Sequence, residues 1–412
     1  MAALDGIRDR IEALLTDSDA TTAARYPGEA AGRQPVHSVY VPADTFDADL
    51  PARWGAQALE AVEQGGGIGH LLQVHGLVSD ESEVATIGQL VLDKLAREPV
   101  EDLRIDFEDG YGDRGDDAED AAVAAAVAAI GTAQAAGTAP PFLGIRFKCL
   151  EPDTRARGLR TLESFVTGLA SGGLPDGLVL TLPKVTAVAQ VQAMVLALEA
   201  LEGPLGLPNG RLGFEIQVET PQAVLGPEGS ALIGPMIAAG AGRVTGMPYG
   251  TYDYSASLGI AAAYQSMEHP AADFAKQVMQ VSAAGTGVRL SDGSTNVLPV
   301  GEQDEVDAAW ALHGRLVMRS LRRGFYQGWD MHPAQLPSRY AATYAFFRGG
   351  LADVLLRLEN YLNNTGGAVL DEPATAKAMA GFLLRGLDCG AVRGSEVPFE
   401  VSALRRLLGH TG

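Results

Sequence analysis

Short apolar runs rich in β-branched and aromatic residues alternate with longer amphipathic stretches along most of this chain, the pattern of strands and helices in a parallel sheet. Eight runs read as strands: residues 37–43 (HSVYVPA), 103–107 (LRIDF), 142–147 (FLGIRF), 178–182 (LVLTL), 212–218 (LGFEIQV), 242–246 (GRVTG), 287–290 (GVRL) and 328–331 (GWDM). Segments between them, such as 185–202 and 304–323, carry apolar residues at helical spacing. Strands that read as near-continuous apolar runs are expected to be buried on both faces. Eight strand–helix units predict an α/β fold, a (β/α)₈ TIM barrel, over residues 37–337. Residues 1–36 read as an N-terminal helical extension, and 338–412 as a C-terminal helical segment with helices near 340–361 and 374–387. The loop between those two helices, 363–373, contains Asn-Asn-Thr-Gly-Gly. The connection over 44–102 is long, includes GGGIGHLLQVHGLVS with His75, and has no chemistry assigned to it.

Composition narrows this picture. With 47% hydrophobic and 20% charged residues the chain can bury a large core. A formal net charge of −20 excludes a nucleic-acid partner, because phosphate neutralisation needs clustered Lys and Arg. Residues 121–145 lack charge but are mostly Ala and broken by Gly131, Gly137 and Pro140–Pro141, so a soluble helix, turn and strand are expected rather than a membrane span. No apolar signal segment is read at the N-terminus, and Cys149 and Cys389 form neither a disulfide framework nor metal-ligand spacing; a cytoplasmic location is expected.

Barrel chemistry sits where the strands end. Here the second strand ends in Asp106-Phe107-Glu108-Asp109, the third in Arg146, the fourth in Pro183-Lys184 and the fifth in Glu219-Thr220-Pro221, while Tyr249 to Asp253 follow the sixth. Such carboxylates, brought together and desolvated, would repel and raise one another's pKa. A hard divalent cation with oxygen ligands resolves the conflict, and Mg²⁺ is suited to two carboxylates plus waters and substrate oxygens.

In order and wording these segments resemble the HpcH/HpaI aldolase and citrate lyase beta subunit-like family, with its malyl-CoA and citramalyl-CoA lyase relatives, in the phosphoenolpyruvate/pyruvate-binding superfamily. The resemblance runs from about 37 to 337: HSVYVPAD, RIDFEDG, GIRF, LPKV, EIQVETPQAV, GMPYGTYDYSASLGI and GWDMHPAQL each match a family segment. Lys148 stands where the family's third strand has Asn. The resemblance implies that Glu219 and Asp253 hold Mg²⁺, or Mn²⁺ in its place. It implies that Arg146 binds a substrate carbonyl or carboxylate oxygen, with Asp106 and Asp109 orienting it and Lys184 contacting substrate or shaping the strand end. AVLDEPATAKAM is similar to the family's C-terminal lid, which places Asp371 where an acid or base reaches a neighbouring subunit's site. A homo-oligomer, trimer or hexamer, follows from that likeness.

The implied activity is that of a carbon–carbon lyase or aldolase, cleaving or forming a small β-hydroxy acid, oxo-acid or its CoA thioester through a stabilised enolate. Two alternatives stand beside it: a Schiff-base aldolase using Lys184 or Lys148, and a non-catalytic relative that only binds a metabolite. The implied partners are a small organic acid or acyl-CoA, with no membrane.

Overall fold

The computed structural model describes residue 4, residues 6–363 and residues 372–409. Eight strands, β1 (His37–Pro42), β2 (Asp102–Asp106), β3 (Phe142–Arg146), β4 (Leu178–Leu182), β5 (Phe214–Ile216), β6 (Val244–Pro248), β7 (Arg289–Ser291) and β8 (Gly328–Asp330), form one parallel sheet. The order is β7-β6-β5-β4-β3-β2-β1-β8. A parallel bridge between Ser291 and Gln327 joins the two ends and closes the barrel. All eight sequence-predicted strands are present; β6 begins two residues later than its apolar run because Gly242 instead turns the chain with φ of +80°.

Both faces of β2 and β5 are buried, as expected, but on each strand one of the two buried faces is polar. Leu103, Ile105 and Phe107 are fully buried against the surrounding helices, while Asp102, Arg104 and Asp106 alternate with them and face the barrel interior. Arg104 reaches across the barrel to Glu215 (3.0 Å) and Thr181 (3.1 Å) and pairs with its neighbour Asp102. Each buried charge in this lower layer thus meets an opposite one, the condition under which such groups tolerate low dielectric.

The Ala-rich stretch is a helix, Asp116–Ala136, with acids in its first turn and Gly137 left-handed at its end. Among the described residues, no helix is long and apolar enough to cross a membrane. The 44–102 connection folds into three helices, Leu50–Gln64, Ile68–His75 and Glu81–Arg97. Its glycine-rich part packs against the long helices Gln303–Arg322 and Leu336–Leu362. A Cβ on Gly65 would overlap the Trp310 ring, His70 pairs with Asp307 at 2.9 Å, and His75 meets Ser338 Oγ at 2.9 Å. That segment is a brace, which accounts for a motif that carries no chemistry.

The helix Leu336–Leu362 is buried over its first turns and straddles the boundary drawn at 337 from sequence. The helix Pro373–Cys389 lies on it through Phe346, Phe347 and Phe382. Its last turns approach the N-terminal ends of the strands, where Arg385 and Asp388 share a cavity with Arg289. The helix Arg8–Arg25 buries none of its residues.

Candidate active site

At the C-terminal ends of β2 to β6, seven side chains selected from sequence converge: Asp106, Glu108, Asp109, Arg146, Lys184, Glu219 and Asp253. The turn after β2 sets the first three. Asp106 accepts the backbone N–H of Glu108 (3.0 Å) on one oxygen and that of Gly110 (2.8 Å) on the other. A Cβ at Gly110 would crowd that second oxygen, so the turn requires glycine. The same carboxylate takes Arg146 in a bidentate pair, Nε at 2.7 Å and Nη2 at 2.6 Å. The remaining guanidinium nitrogen, Nη1, lies 3.5 Å from Glu108. The guanidinium carbon lies over the adjacent Tyr40 and Trp329 rings, 5.0 and 5.6 Å from their centroids, which are 4.3 Å apart. Arg146 is therefore fixed in plane and direction.

Lys184 adopts a left-handed backbone with φ of +51°, a conformation unfavourable for a residue with a Cβ. The turn aims its amide at Glu219 (2.8 Å) and its ammonium at Glu108 and both oxygens of Asp109 (2.6 and 2.7 Å). Glu219 is wholly buried and also accepts from the Gln217 amide at 2.5 Å. Gly250 leaves the space beside it, since a Cβ there would press on the Glu219 side chain. Asp253 is 44% exposed, with its carboxylate 4.0 Å from the Lys184 ammonium.

Electrostatics follow from this crowding. Burial pushes the Glu219 carboxyl up to about 8; Arg146 opposes that shift, and Asp253 and Glu108 add to it. Burial likewise raises Glu108 against the pull of Arg146 and Lys184. Burial also works against charge on Asp109, but Lys184 outweighs it and holds this acid low. For Arg146 and Lys184 the burial penalty is overcome by their acid partners, so both stay protonated.

The donor set suits a hard cation. Five carboxylates face two cations, and every candidate ligand atom on Glu219 and Asp253 is oxygen. Among the described residues, no three His, Cys, Asp or Glu side chains form a ready-made cage, so an ion here would depend on waters or substrate oxygens, as Mg²⁺ commonly does.

Other candidates are placed elsewhere. Lys148 donates to the carbonyls of Phe107 (2.9 Å) and Gly112 (3.0 Å) and to Glu119 (2.6 Å), tying the β2 turn to the helix Asp116–Ala136. Tyr249 packs on Tyr254, and the Tyr252 hydroxyl accepts the Asn296 amide, so neither contributes to the acid cluster. His332 caps the turn Pro333–Gln335 through Ala334 N at 3.2 Å. Asp371 lies outside the described residues. Sequence reading missed Tyr40, Gln217 and Trp329. Strand alternation carries the signal for the first two, because Tyr40 falls between the outward Val39 and Val41 and Gln217 two residues before Glu219.

Comparisons with known proteins agree on the fold. A family model described as a domain of unknown function, DUF6986, matches residues 15–409. No curated protein matches the chain. Among solved structures, a citrate lyase from Burkholderia xenovorans LB400 is similar over 91% of this chain and 97% of its own, with 18% identity and a TM-score of 0.59. Haloferax volcanii malate synthase is similar in its pyruvate/acetyl-CoA ternary complex, with 12% identity, 93% of this chain and 100% of that one covered, and a TM-score of 0.52. Its native form with glyoxylate gives 14% identity, 92% and 99% coverage, and a TM-score of 0.50. At these identities the likeness establishes the fold, a TIM barrel of the citrate lyase and malate synthase type, and so bears out the resemblance read from the motifs at that level.

Proposed function

We propose that this chain, which belongs to the DUF6986 family, is a magnesium-dependent carbon–carbon lyase or aldolase acting on a small hydroxy- or oxo-acid or its CoA thioester. The observation that carries the reading is a guanidinium locked in place by Asp106 beside Glu219, whose carboxyl burial pushes toward neutrality, with Asp253 and Glu108 adding to it. Bound by Glu219 and Asp253, a magnesium ion supplies Lewis-acid polarisation of a substrate oxygen. Arg146 keeps N–H groups that Asp106 does not use, and these donate to the oxygen on which enolate charge develops. Tyr40 and Trp329, packed together, support that fork from one side and exclude water there. Asp109 and Glu108 hold Lys184, whose amide in turn fixes the rotamer of Glu219.

The proton acceptor for the substrate hydroxyl is Asp371 of a neighbouring copy in a trimer or hexamer. In its support, AVLDEPATAKAM is similar to the family's C-terminal lid segment. The citrate lyase and malate synthase neighbours support the reaction class, and the pyruvate/acetyl-CoA complex of the latter supports a small acid and a CoA thioester as substrates. We place the protein in the cytoplasm, where its two free, buried cysteines need no oxidant.

A Schiff-base mechanism is disfavoured. The Lys148 ammonium already has three acceptors, and the raised pKa of Lys184 keeps it protonated and non-nucleophilic.

Deuterium exchange from solvent into pyruvate, oxaloacetate, acetyl-CoA and propionyl-CoA tests the proposal. Exchange into at least one should require Mg²⁺, vanish with EDTA, and lose its metal response in Glu219→Gln. Arg146→Lys, which keeps charge but loses the fork, should slow it about 100-fold. Exchange that survives both EDTA and Glu219→Gln would show the metal assignment to be wrong.

A further inference from the structure

A cavity of about 370 Å³ lies at the opposite end of the barrel, where β7 and β8 begin and the C-terminal helices meet them. Three segments remote in sequence deliver arginines to it: Arg289 opens β7, Arg385 comes from the helix Pro373–Cys389, and Arg405 from the helix Val401–Leu407. Arg385 is already engaged, paired with Glu29 at 2.6 Å and stacked on Tyr326 at 4.4 Å. Arg289 is not matched by an acid. Its Nη2 donates to the backbone carbonyls of Ala31 (3.1 Å) and Gly32 (3.0 Å), and among the described residues neither Arg289 nor Arg405 forms an ion pair. Asp388 lines the same hollow but is not within ion-pair distance of either.

This is an unusual arrangement in a chain of net charge −20, where acids to neutralise an arginine are plentiful. Burial disfavours charge on Arg289 more than the attraction of Asp388 restores it, and the repulsion of Arg385 adds to the cost. With three arginines lining it against the two acids Glu29 and Asp388, the cavity keeps a net positive potential. Leu384, Leu408 and Val288 give it an apolar wall beside the Tyr326 ring, with Gln34 and Gln280 also in its lining. Gln34 spans from the Leu290 carbonyl (3.1 Å) to Gln327 (3.3 Å), standing between this hollow and the barrel interior. The volume falls within the usual range for small-molecule sites, roughly 300–1,000 Å³.

We infer that this basal cavity binds a small organic dianion, its charged group between Arg289 and Arg405 and its apolar body on Leu384, Leu408 and Tyr326. The inference does not rest on the lyase reading, because none of these residues touches the strand C-termini and the exchange chemistry needs neither arginine. A phosphate ester and a dicarboxylate share the required chemistry, and the test separates them.

The full-length protein, in EDTA so that no metal offers a second anion site, is titrated calorimetrically with phenyl phosphate and with phthalate. Benzyl alcohol serves as the uncharged control. One probe should bind saturably, one per chain, and the alcohol should not. Arg289→Gln and Arg405→Gln should each weaken that binding about tenfold, the loss expected for one charge-assisted hydrogen bond, and added salt should weaken it further. Phenyl phosphate binding more tightly identifies the ligand class as phosphate esters; phthalate binding more tightly identifies it as dicarboxylates. Arg405 is exposed on a short surface helix, so Arg405→Gln decides the matter even where Arg289→Gln disturbs folding. No saturable binding of either anion, or affinity unchanged in Arg405→Gln, overturns the inference.

Discussion

Lys148 and Lys184 show how far one residue type is governed by its surroundings. Both follow strand ends and both read as possible nucleophiles. Yet Lys148 is spent on two carbonyls and Glu119, while Lys184 sits in an ion-pair cluster that holds its proton. His75 makes the same point for stability. Burial, with some repulsion from His313, lowers its pKa to about 3, and its Nδ1 is buried without a partner. An unfolded His titrates near 6.5, so between about 6.5 and 3 the unfolded chain binds a proton that the folded chain refuses. Stability held at neutral pH is consequently lost as pH falls through that window. Denaturant midpoints of His75→Gln, measured from pH 7 to pH 4, should decline less steeply than those of the parent, and parallel curves would contradict this account.

At the scale of elements, the polar alternation of β2 and β5 builds the site from below. Asp102, Arg104 and Glu215 fill the lower barrel, Tyr40 lies above them, and Arg146 rests on Tyr40. Gly144 on β3 fits where β4 passes closest, and a Cβ there would overlap the Val179 carbonyl. Gly144→Ala should therefore displace β4 relative to β3, costing about 3 kcal/mol of stability by overpacking. Because Lys184 follows β4, the same change should also lower activity. Thermal melts and turnover measured together check this, and a variant as stable as the parent would mean that the two strands yield without cost.

For the whole molecule, acids are concentrated with Arg146 and Lys184 at one end of the barrel, while three arginines gather at the other. Among the described residues, the helix Arg8–Arg25 is the one long helix with no buried residue, and Leu14 on it is 78% exposed. Removing residues 1–25 should change stability by no more than about 0.5 kcal/mol, the usual range for surface changes. A larger loss, measured by denaturant unfolding at low and high protein concentration, would indicate that a second copy covers this helix.

What the sequence determined by itself was the barrel and the strand ends that carry its chemistry. Strand periodicity is local and barrel loops are short, so the eight apolar runs located every strand, and the polar residues just after them could only point to one face. Arg146, Glu219 and their acid neighbours were legible for that reason. Tertiary structure alone decided how those charges pair: that Asp106 holds Arg146, that Lys184 turns left-handed toward Glu219, and that Lys148 points away from the site. It alone decided that His75 braces two distant helices and that three arginines, from β7 and two C-terminal helices, share one cavity. Those outcomes depend on contacts between residues far apart in the chain and on desolvation, which exists only once the core has closed.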